Sequence, residues 1–228
     1  MTKGKLIVID GIDGSGKGTQ TALLVSRLKK AGQKAVGLNF PQYETQMGHL
    51  IVEYLSGKYG IINPYLAALL YATNRYEFKG KILDWLESGY ILVLNRYISS
   101  NQIHQAANID SKKDRRQFVD WISKLEYGTF GLPHPDLIFF LNLPAEVSYE
   151  LVIKKSKHAR RYIKGTKRDI LESDLTHQRK ALKQAHEVLK HYGEKTAVIE
   201  CFEKGKLLHR NKISDRIWQQ LTKLIGLR

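Results

Sequence analysis

The chain opens on a short apolar run, Leu6 to Ile9, closed by Asp10, and Lys5 to Asp10 reads as a buried strand. The Gly-rich stretch Gly11 to Gly18 follows. It leads into a helical pattern through Leu23, Leu24 and Leu28 that stops near Gly32. A second strand is predicted over Ala35 to Phe40, ended by Pro41. Asn63-Pro64 then offers an N-cap followed by proline at the first helical position. A long helix is predicted from there, with its stripe through Leu66, Leu69, Leu70, Ile82 and Leu86, ending at Gly89. Ile91 to Leu94 is a third strand, apolar enough to be covered on both faces. Beyond it the pattern predicts a helix over Arg115 to Leu125, a strand over Leu137 to Leu141, and helices over Ala145 to Lys155 and Asp174 to His191. A strand over Thr196 to Phe202 and a last helix near Ile213 to Leu224 complete it. Such alternation predicts an α/β fold, a doubly wound parallel sheet of about five strands flanked by helices.

At 228 residues, 43% apolar and 26% charged, the chain fits one domain over residues 1–228, and disorder is excluded as its main state. No apolar run approaches the roughly 18 residues a membrane span needs. The single cysteine, Cys201, makes no internal disulfide, and a cytoplasmic protein is expected. Lys and Arg outnumber Asp and Glu by 37 to 22, giving +15, an excess that draws phosphates, nucleic acid or anionic surfaces. Much of it is lysine scattered over polar faces, as at Lys29, Lys30, Lys112 and Lys113, so nucleic acid is not the expected partner. Residues 154–168 differ: nine of these fifteen are Lys, Arg or His. That stretch suits a solvated loop or a mobile lid over phosphates.

Gly11-Ile12-Asp13-Gly14-Ser15-Gly16-Lys17-Gly18-Thr19 stands where the first strand turns into a helix, the context a phosphate-binding loop requires. Its glycines let successive backbone N–H groups point inward, the helix N-terminus adds partial positive charge, and Lys17 reaches the outer phosphates. Gly18 occupies the position where a Ser or Thr hydroxyl usually meets magnesium. Tyr71 and Arg75, four apart on the predicted long helix, share one face, so a ring and a cation can meet one base. The plain alternative is a core tyrosine and a surface ion pair. Asn95-Arg96-Tyr97 emerges at the carboxyl end of its strand, where open α/β sheets bind ligands. Asp169 and Glu172 also suit a helix start. The eight histidines have no zinc-like spacing with Cys201.

Taken together, Gly11 to Gln20, Phe40-Pro41, Asn74-Arg75, Asn95-Arg96-Tyr97 and the basic segment after residue 154 resemble the thymidylate kinase family over nearly the whole chain. The Lys17-Gly18-Thr19-Gln20 ending is also similar to the adenylate kinase loop, but Asp13 stands where that family has proline. The resemblance implies transfer of the terminal phosphoryl group of ATP to thymidylate (dTMP) with Mg2+, giving dTDP and ADP. It implies that Gly11, Gly14, Ser15, Gly16, Lys17, Gly18 and Thr19 bind the ATP phosphates. On the acceptor side it implies that Tyr71 stacks on thymine, Arg75 donates to a base carbonyl and Asn101 contacts the base. Phe40, Tyr43 and Arg96 complete that side, with the Tyr43 phenol and Arg96 at the acceptor phosphate. Asp13 and Glu172 are implied magnesium contacts, with Asp13 alternatively bonding a sugar hydroxyl. Because Gly14 gives the loop no arginine, the catalytic arginines are implied to come from a lid over about residues 154–172, namely Arg160 and Arg161. His104 stands where an aromatic often crowds the 2′ position of the sugar.

One departure bears on catalysis. Asn95 replaces the family's aspartate, which removes a negative charge beside the metal and is expected to lower rate more than binding. The family's homodimers are joined through helices, and a homodimer is expected here. Two alternatives stay open: a kinase for another nucleoside monophosphate, and a catalytically weakened nucleotide-binding protein.

Overall fold

Along β1 (Lys5–Asp10) the side chains alternate between two apolar layers: Ile7 and Ile9 enter one, Leu6 and Val8 the other. β2 (Ala35–Asn39) is followed by β3 (Ile91–Asn95), which repeats the pattern with Val93 on one side and Leu92 and Leu94 on the other. A strand buried on both faces needs parallel neighbours and helical cover. With β4 (Leu137–Asn142) and β5 (Thr196–Glu200) the strands form a parallel sheet in the order β2-β3-β1-β4-β5. The expected doubly wound α/β sheet is therefore present, in a computed structural model that describes residues 3–156, 174–191 and 194–226.

The helices in chain order are α1 (Lys17–Lys30), α2 (Gln46–Leu55), α3 (Pro64–Tyr76), α4 (Lys79–Glu87), α5 (Ile98–Ser100), α6 (Lys112–Ser123), α7 (Ala145–Ser156), α8 (Leu175–His191) and α9 (Arg210–Ile225). One face of the sheet is covered by α1 and α9, where Leu24 and Leu28 pack with Ile213, Ile217 and Leu221. The other face takes Ile82 and Leu86 of α4, and Phe140 of β4 meets Ala181 and Ala185 of α8. Outside this layer α3 packs on α2 through Ala67 and on α6 through Ala68 and Ala72.

Four details differ from the sequence pattern. The long helix predicted from Asn63 to Gly89 is two helices, α3 and α4. Its predicted cap is present, Asn63 Oδ1 accepting from Tyr65 N at 2.8 Å. The break falls where Phe78 N bonds Arg75 O at 3.0 Å and the Phe78 ring turns into the core, edge-on to Phe40 at 5.8 Å. The stripe of α3 also differs: its buried residues are Ala67, Ala68, Ala72, Asn74 and Arg75, while Leu66 is exposed. Helix α2 and the helical run after β3, where α5 continues through a π turn (Asn101–Gln105) and a 3-10 turn (Ala106–Asn108), were not predicted from the sequence. Finally, β5 stops at Glu200, because Phe202–Glu203 (β6) leaves the sheet to pair antiparallel with Lys206–Leu207 (β7).

Candidate active site

Sheet register brings the chemistry-bearing loops together. Asn95 at the end of β3 sits opposite Ile9 on one side and Asn39 on the other, so the loops after β1, β2 and β3 leave the same carboxyl edge side by side. The loop after β1 turns through Gly14 (φ 87°) and Gly16 (φ 91°), a left-handed backbone that a side chain strains. At Gly14 a Cβ would also run into the Ser148 carbonyl and Val152 of α7. The loop sequence is thus fixed by geometry and by the helix packed against it. Gly16 caps α1 with no side-chain hydrogen bond, and no acidic residue lies in the first turn. Its first N–H groups are an anion site in waiting, with no carboxylate competing for them. Lys17, buried, folds back over the loop and donates from Nζ to Gly11 O at 2.9 Å and Ile12 O at 2.8 Å.

The loop after β3 carries Arg96, whose φ of 67° is a left-handed conformation that non-glycine residues adopt only under surrounding constraint. The constraint is visible. Arg96 N bonds Ile9 O at 3.1 Å, and the guanidinium is paired with the Asp13 carboxylate and donates from Nη1 to His104 Nε2 at 3.0 Å. Asp13 Oδ1 also lies 3.7 Å from Lys17 Nζ, so one carboxylate joins the cations of the two loops. Burial alone would push the Asp13 carboxyl up, but Arg96 and then Lys17 hold it well below the usual carboxylate range. Burial and the Arg96 cation hold the His104 imidazole well below its ordinary range, which agrees with its Nε2 accepting from Arg96. Beneath both loops lies Asp10, fully buried, accepting from Gly11 N at 2.8 Å, Ser99 Oγ at 2.5 Å and Ser100 Oγ at 2.9 Å.

From Asp13 a cavity of about 230 Å³ runs toward α3. Every residue named from the sequence for the acceptor side lines it: Asp13, Phe40, Tyr43, Tyr71, Arg75, Arg96 and Asn101, together with Asn95 and His104. Two side chains given no role from the sequence hold this wall. Glu126, fully buried in the π turn that extends α6 (Lys124–Thr129), takes Arg75 Nε at 2.6 Å and Nη2 at 2.7 Å, a bidentate pair, and accepts from Asn101 Nδ2 at 3.0 Å. Arg75, held in this way, lines the cavity. Asn74, also fully buried, accepts from Gln42 N at 2.8 Å and donates to Gln42 O at 3.0 Å, which clamps the Phe40-Pro41 loop to α3. The peptide between Phe40 and Pro41 is cis. His177 of α8 and Gln105 line the same cavity and were not named from the sequence.

Other expectations find a different footing. Arg160, Arg161 and Glu172, and nearly all of the lid, lie outside the described residues. Asp13, expected as a metal contact, is engaged by the two cations, and among the described residues no group of three His, Cys, Asp or Glu side chains can hold a metal ion. Asn95 Oδ1 is buried without a hydrogen-bond partner among the described residues. No described helix is long and apolar enough to cross a membrane.

A parallel sheet whose first strand feeds a glycine cradle and an uncapped helix, with a second basic loop at the adjacent strand end, defines the class of phosphate-binding-loop nucleotide-binding folds. The thymidylate kinase family model matches residues 9–212. The chain belongs to the thymidylate kinase family. It is 36% identical to human thymidylate kinase over 141 residues, 62% of each chain. It is 34% identical to the Plasmodium falciparum thymidylate kinase over 142 residues, 62% of this chain and 63% of that one. It is 34% identical to the Schizosaccharomyces pombe thymidylate kinase over 146 residues, 64% of each. The chain thus spans less than two thirds of the length of the curated relatives it matches. The solved thymidylate kinase structure from Candida albicans superposes with a TM-score of 0.72 at 29% identity, covering 97% of this chain and 92% of that one.

Proposed function

We propose that the protein transfers the terminal phosphoryl group of ATP to thymidylate, yielding ADP and dTDP. The observation that carries this reading is the Asp13 carboxylate shared by Lys17 and Arg96, since it joins a triphosphate cradle to one end of a base-sized cavity. In-line transfer between two phosphates needs that adjacency, because catalysis here is positioning plus cations that meet the charge on the transferring oxygens. Lys17 and the α1 N-terminus hold the donor phosphates. Arg96 holds the acceptor phosphate, exchanging its bond to Asp13 for one to the incoming oxygens.

The other end of the cavity matches a thymine ring. Arg75 is rigidly aimed by Glu126 and donates to a carbonyl, Tyr71 and Phe40 supply aromatic surface, and Gln105 Oε1, buried and unpartnered among the described residues, accepts the ring's one N–H. Asp13 Oδ2 is then the acceptor for the 3′-hydroxyl, at the junction of the two phosphate sites. The lid arginines Arg160 and Arg161, with Glu172 as a metal contact, complete the proposal.

The residues present also fit magnesium. That ion takes oxygen ligands, keeps several waters and relies on substrate phosphates with one or two protein oxygens. Asn95 Oδ1 is a buried, unpartnered oxygen beside the loop, its amide nitrogen 3.5 Å from where a Gly18 side chain would begin. Bound with the nucleotide, the metal would neutralise charge developing on the phosphates. We further propose a homodimer joined through α3, supported by the exposed Ile61, Tyr65 and Leu66, and a cytoplasmic setting, supported by the unpaired buried thiol of Cys201.

Arg96→Ala tests the assignment of roles. Calorimetry is expected to show thymidylate affinity falling by more than about tenfold while ATP affinity stays within about twofold, as loss of one charge-assisted phosphate contact requires. ATP binding lost with thymidylate binding intact would overturn it.

A further inference from the structure

The acceptor cavity is not the largest hollow among the described residues. Another, of about 330 Å³, lies between the start of α6 and the middle of α8, and it shares no lining residue with the first. Four cations line it, Lys112 and Arg115 from α6 and Lys180 and Lys183 from α8, against two carboxylates, Asp110 and Glu187. The carboxylates do little to neutralise them. Lys112 lies 3.7 Å from Glu187 and Lys180 lies 3.4 Å from Asp110, long pairs between exposed side chains, and such pairs contribute little. Arg115 and Lys183 form no ion pair among the described residues. Arg115 is also fixed in place: its Nη1 donates to Ile109 O at 2.8 Å and to Asp110 O at 2.7 Å, neutral carbonyls that hold the guanidinium plane and leave its charge uncompensated.

A concavity lined by an excess of one charge focuses its field and gathers ions of the other sign. A guanidinium fork held in position, with ammonium groups around it, is a combination that recognises phosphate oxygens. The number of cations sets the size of the anion. A single phosphate divided among four cations leaves most of them unpaired, whereas a chain of two or three phosphates offers each its own oxygens. Asp110 is no obstacle, because its side chain is 94% exposed and turns to water at little cost. We propose that this hollow is a separate anion site that takes a polyphosphate group, carried by inorganic polyphosphate or by a nucleoside triphosphate. It stands apart from the two phosphate sites of the transfer reaction and does not depend on that reading.

The test titrates tripolyphosphate by calorimetry into the native protein and four charge variants, in about 0.1 M salt, where exposed charges more than about 10 Å apart are screened. Two binding events are expected, one in the glycine cradle and one here. Lys183→Glu and Lys112→Glu, both at exposed positions, should each weaken one event by about tenfold or more, the worth of one charge-assisted contact, and leave the other within about twofold. Lys17→Ala should weaken only that other event. Lys29→Glu, in the last turn of α1 and not part of the hollow, makes the same change in net charge and should alter neither. Finding no event that Lys183→Glu weakens by more than about threefold, or finding that Lys29→Glu weakens it as much, overturns the proposal. A single event that Lys183→Glu weakens and Lys17→Ala does not upholds this site and counts against the cradle instead. Repeating the titrations with cytidine triphosphate separates the two sources. Tighter binding than tripolyphosphate at the Lys183-sensitive event identifies a nucleotide, with its base against Ala107 and Ile109, and weaker binding identifies an inorganic chain; either upholds the site.

Discussion

Removing the Glu126 charge separates what the buried ion pair does for stability from what it does for recognition. The side chains of Arg75 and Glu126 are 3% and 0% exposed and meet through two bonds of 2.6 and 2.7 Å. Glu126→Gln keeps size and shape but leaves the Arg75 cation buried without a counter-charge, a loss worth roughly 3 to 5 kcal/mol. In a chain of this length that lowers Tm by roughly 6 to 20 °C. Arg75 loses its bidentate, charged partner, so thymidylate affinity is expected to drop by roughly tenfold or more. The double variant Arg75→Met/Glu126→Leu removes both charges and fills the space with apolar atoms, and should recover most of the stability while recovering none of the thymidylate affinity. Urea unfolding with calorimetric titration of thymidylate reads both quantities. A Glu126→Gln protein within about 1 kcal/mol of native stability, or a double variant that binds thymidylate like the native protein, would refute the reasoning.

Three further predictions follow from the same geometry. The imidazoles of His104 and His177 are held below their ordinary range, mainly by burial, so between their folded values and about pH 6.5 the unfolded chain binds more protons and stability rises with pH. The free energy of urea unfolding should therefore be lower at pH 5.5 than at 7.5, falling below about pH 6.5 by up to about 1.4 kcal/mol per histidine per pH unit, with a shallower slope in His104→Phe; Asp13, with its depressed carboxyl, stays ionised throughout. Gly14→Ala places a Cβ against the Ser148 carbonyl at φ 87° and is expected to cost roughly 3 kcal/mol in urea unfolding, whereas a change under about 0.5 kcal/mol would contradict the packing described. Asn95→Asp restores a negative charge beside the Gly18 turn and should raise the rate of ADP release by about tenfold with KM for thymidylate little changed; a slower variant would contradict the role given to that position.

The parts of the fold legible in the sequence were those with a local cause. β1, its glycine loop and α1 follow from an apolar run, positive-φ glycines and a 3.6-residue stripe, and the structure returns β1 over the predicted Lys5–Asp10. The break between α3 and α4 was hidden because its cause, Phe78 turning toward Phe40, is a contact between distant segments. The acceptor cavity was legible as a set of residue types, and all seven of those residues line it. What holds them was not, since Glu126 lies 51 positions from Arg75. A signal for Glu126 was nonetheless there: Phe118, Ile122 and Glu126 fall four apart on one apolar face, and a carboxylate at that phase calls for a buried cation. His177 had a comparable signal, falling four apart with Ala181 and Ala185 on the buried face of α8.

The central claim is tested most directly by ADP release from ATP and magnesium with the native protein across thymidylate, uridylate, cytidylate, adenylate and guanylate. The account predicts release that is fastest with thymidylate, falls when the pyrimidine loses its imide N–H as in cytidylate, and is negligible with the purines. Release led by a purine monophosphate, or none with any acceptor, would contradict it.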